Sequence, residues 1–255
     1  MKIRSIFFIY KKHLLVFLIK LGLARGLKIY FQLKSGRVKN INPAGLLFPF
    51  SLRKHEPSDI PVFIHIFLEN EYDLAFPEKP KTIIDAGAFI GLFAISIKNK
   101  FPDVQIICIE PDTDNYEILK KNTSVYDNIH CEHAGLWNKK TTLSVSDIHN
   151  FSKWGMVAQE DDKGTVNSIT IPDILEKYNI NRIDVLKLDI ETSEKQVFKD
   201  NYEYWLPRTK MIIIELHDRV SKDCGQVFFT AISRCFKKYD YYIRGENTII
   251  INRDI

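Results

Sequence analysis

From residue 81 onward, short apolar runs alternate with helix-like segments, and this alternation constrains the fold more than any other feature of the 255-residue chain. Continuous Ile, Val and Leu runs are typical of strands covered on both faces, as in a parallel sheet. The alternation with helices implies right-handed crossovers, so we predict an α/β fold with a doubly wound sheet. The five strand-like runs are KTIID (81–85), VQIICIE (104–110), NIHCEH (128–133), IDVLKLD (183–189) and KMIIIEL (210–216).

Helical patterns fill the intervals at 90–99, 112–122 and 171–178, and Asp112 is a candidate N-cap. The C-terminus differs, because residues 239–243 and 248–252 flank the short turn RGEN. That pattern predicts an antiparallel hairpin at the end of an otherwise parallel sheet.

The N-terminal segment has a different electrostatic character from the rest of the chain. Residues 1–54 contain twelve Lys or Arg and no Asp or Glu, whereas the whole chain has a net charge of +4. Its apolar runs are interrupted by cations before they reach the roughly 20 residues that span a bilayer, and no secretory cleavage pattern follows them. We predict a basic, apolar helical appendage and connector at 1–60 and the main domain at 61–255, which begins with a helix over 61–74.

Two roles for this appendage remain open. It packs on the main domain with solvated lysines, or residues 1–39 lie on an anionic membrane surface with lysines at the headgroups. No recognisable nucleic-acid-binding motif is present, so no nucleic-acid partner is predicted. The four cysteines form no C-x-x-C pair, which disfavours a zinc site or a disulfide framework and is typical of a cytoplasmic protein. A peripheral location at the inner membrane face is the alternative.

Acidic side chains end most of the predicted strands, where ligands of open α/β sheets bind. The loop after the first strand reads DAGAFIG (85–91), but Ala86 and Ala88 replace two glycines of the dinucleotide fingerprint, so that fingerprint fails. Glu110 follows about 20 residues later, the spacing of an acid that binds ribose hydroxyls. An acid in the loop disfavours a pyrophosphate and favours a cationic nucleoside such as S-adenosylmethionine. The candidate cofactor-binding residues are Asp85, Gly87, Ala88, Gly91, Glu110 and Asp189.

Four segments together resemble the FkbM family of S-adenosylmethionine-dependent methyltransferases. They are IIDAGAFIGLFAI (83–95), IEPDTDNYEILKKN (109–122), SITIPDILEKYNINRIDVLKLDIETSE (168–194) and IIIELH (212–217). The resemblance implies a Rossmann-like sheet of seven strands, mostly parallel, with the C-terminal hairpin at one edge. It identifies residues 61–255 as the methyltransferase domain. The family usually has a small polar residue where Phe89 stands and a glycine where Thr192 stands.

Methyl transfer to a hydroxyl requires an oriented acceptor and removal of its proton. His217 is the best general base by intrinsic pKa, and Asp189 is the predicted contact to the cofactor or the acceptor hydroxyl. Glu191 and Glu215 complete the catalytic candidates. Lys187 is expected to pair with Glu110 or Glu215, or to steady a substrate.

Other side chains near the strand ends have more than one interpretation. His133 and Trp137 flank the adenine, or Trp137 packs in the core. Acids with a histidine also resemble a divalent-metal site, but nothing in the spacing requires one, so no metal is predicted.

We therefore predict an O-methyltransferase that acts on a small-molecule or glycan-type acceptor, the sugar preference being implied by the family. Two alternatives remain. A nicotinamide-dependent oxidoreductase is disfavoured by the failed fingerprint and by Arg182 in place of lysine four residues after Tyr178. A non-catalytic, membrane-docked cofactor-binding module is kept open by Thr192.

Overall fold

The structure is a computed structural model that describes residues 14–43, 45–147 and 152–255. It divides into two compact units, Met1–Asp73 and Leu74–Ile255. All four cysteines are free thiols.

The first unit is helical and is built around aromatic side chains. Residues 14–21 are helical, and helices α1 (Leu23–Lys34) and α2 (Asp59–Phe67) follow. The Phe63 ring of α2 lies 6.1 Å from that of Phe17 and 6.0 Å from that of Phe50. This packing places α2 in the first unit, so the observed division after Asp73 lies downstream of the predicted one after residue 60. Residues 1–13 of the predicted appendage lie outside the described residues.

Helix α2 is shorter than predicted and begins earlier. Asp59 is fully buried at its first turn, where its carboxylate accepts hydrogen bonds from the Arg53 backbone N–H (2.6 Å) and guanidinium (2.6 Å). Pro61 fits in the first turn, where a missing N–H costs nothing. No helix in the described part of the chain has both the length and the apolar character needed to cross a membrane.

The second unit contains a large sheet in the order β10-β11-β9-β8-β1-β2-β3. Strands β1, β2, β3, β8 and β9 are parallel, and β10 and β11 form the antiparallel hairpin beside β9. The mostly parallel α/β sheet predicted from the sequence is confirmed. All parallel strands therefore end at one edge, which we call the carboxyl edge. The strands of this sheet are β1 (Thr82–Ala86), β2 (Gln105–Ile109), β3 (Ile129–Glu132), β8 (Ile183–Leu188), β9 (Thr209–Glu215), β10 (Tyr239–Arg244) and β11 (Asn247–Asn252).

The helices of this unit are α3 (Leu92–Lys100), α4 (Thr113–Thr123), α5 (Ile171–Lys177), α6 (Glu194–Val197) and α7 (Cys224–Cys235). Asp112 caps α4 as predicted, because its side chain accepts the Asn115 N–H at 3.0 Å. Helices α6 and α7 were not predicted. Phe228 of α7 is fully buried against Phe198, with ring centroids 4.9 Å apart, so α7 covers the sheet core.

A second, smaller sheet occupies residues 135–169, an interval in which the sequence predicted neither a strand nor a helix. It contains β4 (Gly135–Leu136), β5 (Thr142–Ser146), β6 (Val157–Glu160) and β7 (Val166–Ile169) in the order β4-β7-β5-β6. Its core is a separate cluster of Trp137, Leu143, Ala158 and Val166. The strands are short and partly exposed, which explains why apolar patterning did not reveal them.

Candidate active site

The glycine loop, residues 87–91, is held between two strand ends. The N–H groups of Gly87 and Ala88 both donate to Ile109 O, at 3.0 and 3.1 Å. A Cβ on Gly87 would lie 1.7 Å from Asp189 O, and Gly87 has φ +74°, so only glycine fits this close approach. The loop therefore sits directly against the end of β2 on one side and the end of β8 on the other.

Glu110, at the end of β2, is buried beneath this loop. Its Oε2 accepts the Phe89 N–H at 2.9 Å, and its Oε1 accepts the Asp112 N–H at 3.0 Å and Asn115 Nδ2–H at 3.2 Å. Burial raises the pKa of Glu110 to about 7, against the lowering effect of these hydrogen bonds. The predicted ribose-binding acid thus also fixes the shape of the glycine loop.

Asp85 and Lys187 form an ion pair inside the sheet. They face each other in register on β1 and β8, with Lys187 Nζ 3.1 Å from Asp85 Oδ1, and both are buried. Burial raises the pKa of Asp85 while the Lys187 charge lowers it. The predicted pairing of Lys187 with Glu110 or Glu215 is wrong, because the residue in register with Lys187 is Asp85 on β1 and Ile213 on β9, and the second carboxylate near its Nζ is Asp189, at 3.9 Å. The negative charge of Asp85 is balanced within the protein, so it does not by itself indicate a cationic ligand.

Beyond β8 and β9, five ionisable side chains converge, and we call them the carboxylate–histidine cluster: Asp189, Glu191, Glu194, Glu215 and His217. The parallel pairing of β8 with β9 brings the three acids that follow β8 close to Glu215 and His217 at the end of β9. His217 Nδ1 lies 3.1 Å from Glu194 Oε1, while its Nε2 lies 3.5 Å from both Glu191 Oε2 and Glu215 Oε1. The structure therefore brings together all four predicted catalytic residues.

The electrostatics of the cluster change the role expected for His217. Burial lowers its pKa, but the Glu194 hydrogen bond and the charges of Glu194, Glu191 and Asp189 raise it to about 10. Burial raises the pKa of Glu191 to about 7 and that of Glu215 to about 8, although the His217 charge lowers both. At neutral pH His217 is therefore an imidazolium that donates hydrogen bonds and has no lone pair to accept a proton.

Glu194 is the fifth member of the cluster, and its sequence position is compatible with either a substrate-binding acid or a helix N-terminal acid. It is fully buried, and besides His217 its Oε1 accepts the Ile190 N–H at 3.0 Å. The only sequence signal was a glutamate three residues after Glu191, which is equally typical of a helix N-terminus. Its burial arises from the packing of α6 on α7, which local sequence does not reveal.

The two aromatic candidates near β3 separate in the structure. His133 stays at the carboxyl edge, stacked on Tyr116 with ring centroids 4.7 Å apart. Trp137 is buried in the small-sheet core, and its Nε1–H donates to Glu160 at 2.7 Å. Trp137 is thus a core residue, and His133 is the remaining aromatic candidate at this edge.

Comparisons with known proteins find a methyltransferase family and methyltransferase relatives. Residues 85–243 match the family described as Methyltransferase FkbM domain. Methyltransferase sdnD of Sordaria araneosa is 27% identical over 181 residues, covering 56% of this chain and 70% of that protein. Methyltransferase 1 of Beauveria bassiana is 27% identical over 187 residues, covering 61% and 73%.

A solved structure, that of Methyltransferase FkbM from Methylobacillus flagellatus, shares the fold with a TM-score of 0.50 at 15% identity. The alignment covers 71% of this chain and 45% of the solved chain, so this chain spans less than half of that protein. These matches argue against both the nicotinamide-dependent oxidoreductase and the non-catalytic module. The chain belongs to the FkbM family of S-adenosylmethionine-dependent methyltransferases.

Proposed function

We propose that the enzyme methylates a hydroxyl group of a carbohydrate or other glycan-type acceptor. The supporting observation is the carboxylate–histidine cluster beside the glycine loop. Polyol hydroxyls are hydrogen-bond donors, and the half-buried carboxylates Asp189, Glu191 and Glu215 are acceptors that can bind several of them at once. Orienting the acceptor in this way supplies a large part of the rate enhancement, because positioning can lower a reaction barrier by about 7–11 kcal/mol.

S-adenosylmethionine supplies an activated sulfonium methyl group when bound, and the residues at the carboxyl edge fit it. The glycine loop contacts both the Glu110 and the Asp189 strand ends. Glu110 accepts hydrogen bonds from three protein groups, which leaves acceptor capacity on a carboxylate with about four lone-pair sites. Glu110 would accept a ribose hydroxyl, and the loop backbone and Asp189 would hold the remainder. Ala88 and Gly91 belong to this loop. Asp85 would act indirectly, by holding Lys187, whose Nζ donates to Gly87 O at 3.3 Å.

Removal of the acceptor proton falls to a carboxylate. His217 is an imidazolium in this cluster, so it holds the neighbouring carboxylates in place and is not the base. Asp189 has the most exposed side chain of the cluster, at 31% compared with 26% for Glu215 and 21% for Glu191, and it adjoins the glycine loop. Asp189 is therefore the group that binds the reacting hydroxyl and accepts its proton.

The test is methyl transfer from labelled S-adenosylmethionine to a panel of sugars and polyols, with amine and thiol analogues of the same size as matched acceptors. We expect label on the hydroxyl acceptors. Asp189→Asn should lower kcat by about 10²–10⁴-fold, more than His217→Gln does. Glu176→Gln, at an exposed position, is the control. Label that reaches only amines or thiols would contradict the proposed acceptor, and a larger loss in His217→Gln would restore His217 as the base.

We further propose that the enzyme meets its acceptor at an anionic membrane surface through residues 1–39. The support is the pairing of exposed apolar and basic side chains in residues 14–34.

A further inference from the structure

Three side chains of the cluster have the geometry of a cation site. Asp189 and Glu215 each offer a carboxylate oxygen and His217 offers a ring nitrogen, and these three atoms lie within 4.8 Å of one another. Ligand atoms placed about 2.1 Å from a small octahedral cation are roughly 3–4 Å apart. The three half-buried side chains would move inward to reach that spacing.

Glu194 orients the imidazole as metal sites require. A metal-bound histidine commonly donates its other ring N–H to a carboxylate, which fixes the ring and its tautomer. Here the fully buried Glu194 accepts from His217 Nδ1 at 3.1 Å and is itself held by the Ile190 N–H. This arrangement directs Nε2 toward Glu215 and leaves it as the ligand atom.

The cluster contains more acidic than basic side chains within ion-pair distance, and this observation is independent of the ligand spacing. Among the described residues, Glu191, Glu194 and Glu215 have no ion-pair partner except His217. The second carboxylate oxygen of Glu194 is buried and accepts no hydrogen bond from any described residue. Lys187 Nζ lies 3.9 Å from Asp189 Oδ2, but it is shared with Asp85, so a dication would add positive charge where four acidic side chains surround one imidazole.

We propose that Asp189, Glu215 and His217 bind a divalent first-row transition-metal cation, with Glu194 as the residue that positions His217. A mixed set of one imidazole and two carboxylates suits Mn²⁺ or Zn²⁺ better than Ca²⁺. The cation replaces the Nε2 proton of His217, which is released to solvent. A carboxylate has two oxygens, so Asp189 can hold the cation through one and the acceptor hydroxyl through the other. This site goes beyond the proposed function, since cation binding does not depend on which acceptor is methylated.

Titration of the full-length protein with Mn²⁺, followed by electron paramagnetic resonance, tests the site directly, because the six-line signal of free Mn²⁺ disappears on binding. We expect saturation at one Mn²⁺ per chain. Glu215→Gln and His217→Gln should weaken binding by at least about 100-fold, and Glu194→Gln by about 10–100-fold. Glu176→Gln, an exposed acid on α5, should bind Mn²⁺ as the wild type does.

A wild-type protein that leaves the free Mn²⁺ signal unchanged would overturn the site, and this measurement needs no variant to fold. Unchanged affinity in a folded Glu215→Gln protein would overturn it as well. Methyl transfer is not the readout, so the two proposals fail separately. Mn²⁺ binding without methylation of any hydroxyl acceptor contradicts only the proposed function, whereas methylation of polyols by a protein that binds no Mn²⁺ contradicts only the cation site.

Discussion

Three non-glycine residues next to the site have left-handed backbone conformations. Phe89 in the glycine loop has φ 50°, and Glu191 and Thr192 after β8 have φ 50° and 80°. Such conformations are costly for bulky or β-branched residues, by about 1–3 kcal/mol each, and they concentrate where a site needs a fixed geometry. Phe89 presents its N–H to Glu110, and Glu191 presents its carboxylate to His217. The strained backbone at Phe89 therefore positions a donor for Glu110, and the strained backbone at Glu191 positions a carboxylate beside His217.

Thr192→Gly should stabilise the protein. Threonine at φ 80° is strained, and glycine adopts that conformation freely. The relief exceeds the extra chain entropy that glycine loses on folding, so the free energy of unfolding should rise by about 1 kcal/mol in urea denaturation. Ser193→Gly is the matched control, because Ser193 has φ −75° and glycine should only destabilise there. Equal effects at the two positions would show that Thr192 is not strained.

Glu110→Ala should weaken S-adenosylmethionine binding by about 1–3 kcal/mol, because a charge-assisted hydrogen bond to the cofactor is lost. The pKa of Glu110 is about 7, so protonation below that pH removes the negative acceptor. Wild-type affinity should therefore fall as the pH decreases through 7, and this dependence should vanish in Glu110→Ala. Titration calorimetry measures both, with the exposed Glu117→Ala as control. Equal affinities for wild type and Glu110→Ala would remove Glu110 from the cofactor site.

At the scale of elements, the buried Asp85–Lys187 pair joins β1 to β8 at the centre of the large sheet. Lys187→Met leaves the Asp85 charge buried without its partner, so we expect a loss of about 3–5 kcal/mol in the free energy of unfolding. The double variant Asp85→Asn/Lys187→Met should recover part of that loss because it contains no unpaired charge.

Lys79→Met provides the comparison. Lys79 also forms an ion pair, at 2.8 Å from Asp103 Oδ2, but both side chains are mostly exposed. Exposed pairs contribute about 0–1 kcal/mol. A loss in Lys187→Met no greater than that in Lys79→Met would mean that the buried pair does not hold the two strands together.

The elements that the sequence predicted are those with long apolar runs. Strands β1, β2, β8 and β9 are buried on both faces, so their Ile and Val content marks them directly. Strands β4 to β7 were missed because they are only two to five residues long, and three of them have exposed positions. Helix α7 was missed although Phe228 and Ile232 are buried core residues. Its position against the sheet depends on tertiary packing.

The site residues also divide into those that the strand pattern predicts and those that depend on tertiary packing. Strand ends placed Asp189, Glu215 and His217 at one edge correctly, because parallel topology requires it. The partner of Lys187 and the charge state of His217 could not be predicted, since each depends on which side chains face it across neighbouring strands. Pairwise distances and burial, not residue type, determine them.

In the molecule as a whole, the N-terminal segment stands apart because it combines exposed apolar side chains with basic ones and has no acids. Within residues 14–34, the side chains of Leu15, Ile19 and Leu23 are 65%, 70% and 70% exposed. Lys20, Arg25 and Lys28 are exposed in the same stretch, and no acid precedes Glu56. Apolar side chains beside cations are the pattern of a segment that inserts shallowly into a membrane surface while its charges reach the headgroups. Lys11 and Lys12, which also belong to the basic segment 1–39, lie outside the described residues.

The full-length protein should therefore bind anionic vesicles reversibly, and binding should weaken as salt rises, because charge attraction is screened within about 8–10 Å at physiological ionic strength. Reversing Lys20, Arg25 and Lys28 to glutamate should abolish flotation with anionic vesicles while methyl transfer to a water-soluble acceptor persists. Deletion of residues 1–39 should have the same effect on flotation. Equal flotation with neutral and anionic vesicles, or flotation that survives the deletion, contradicts membrane docking. If the deletion lowers Tm and solubility but leaves flotation unchanged, these residues are a packing element. Their exposed side chains then do not contact anionic headgroups.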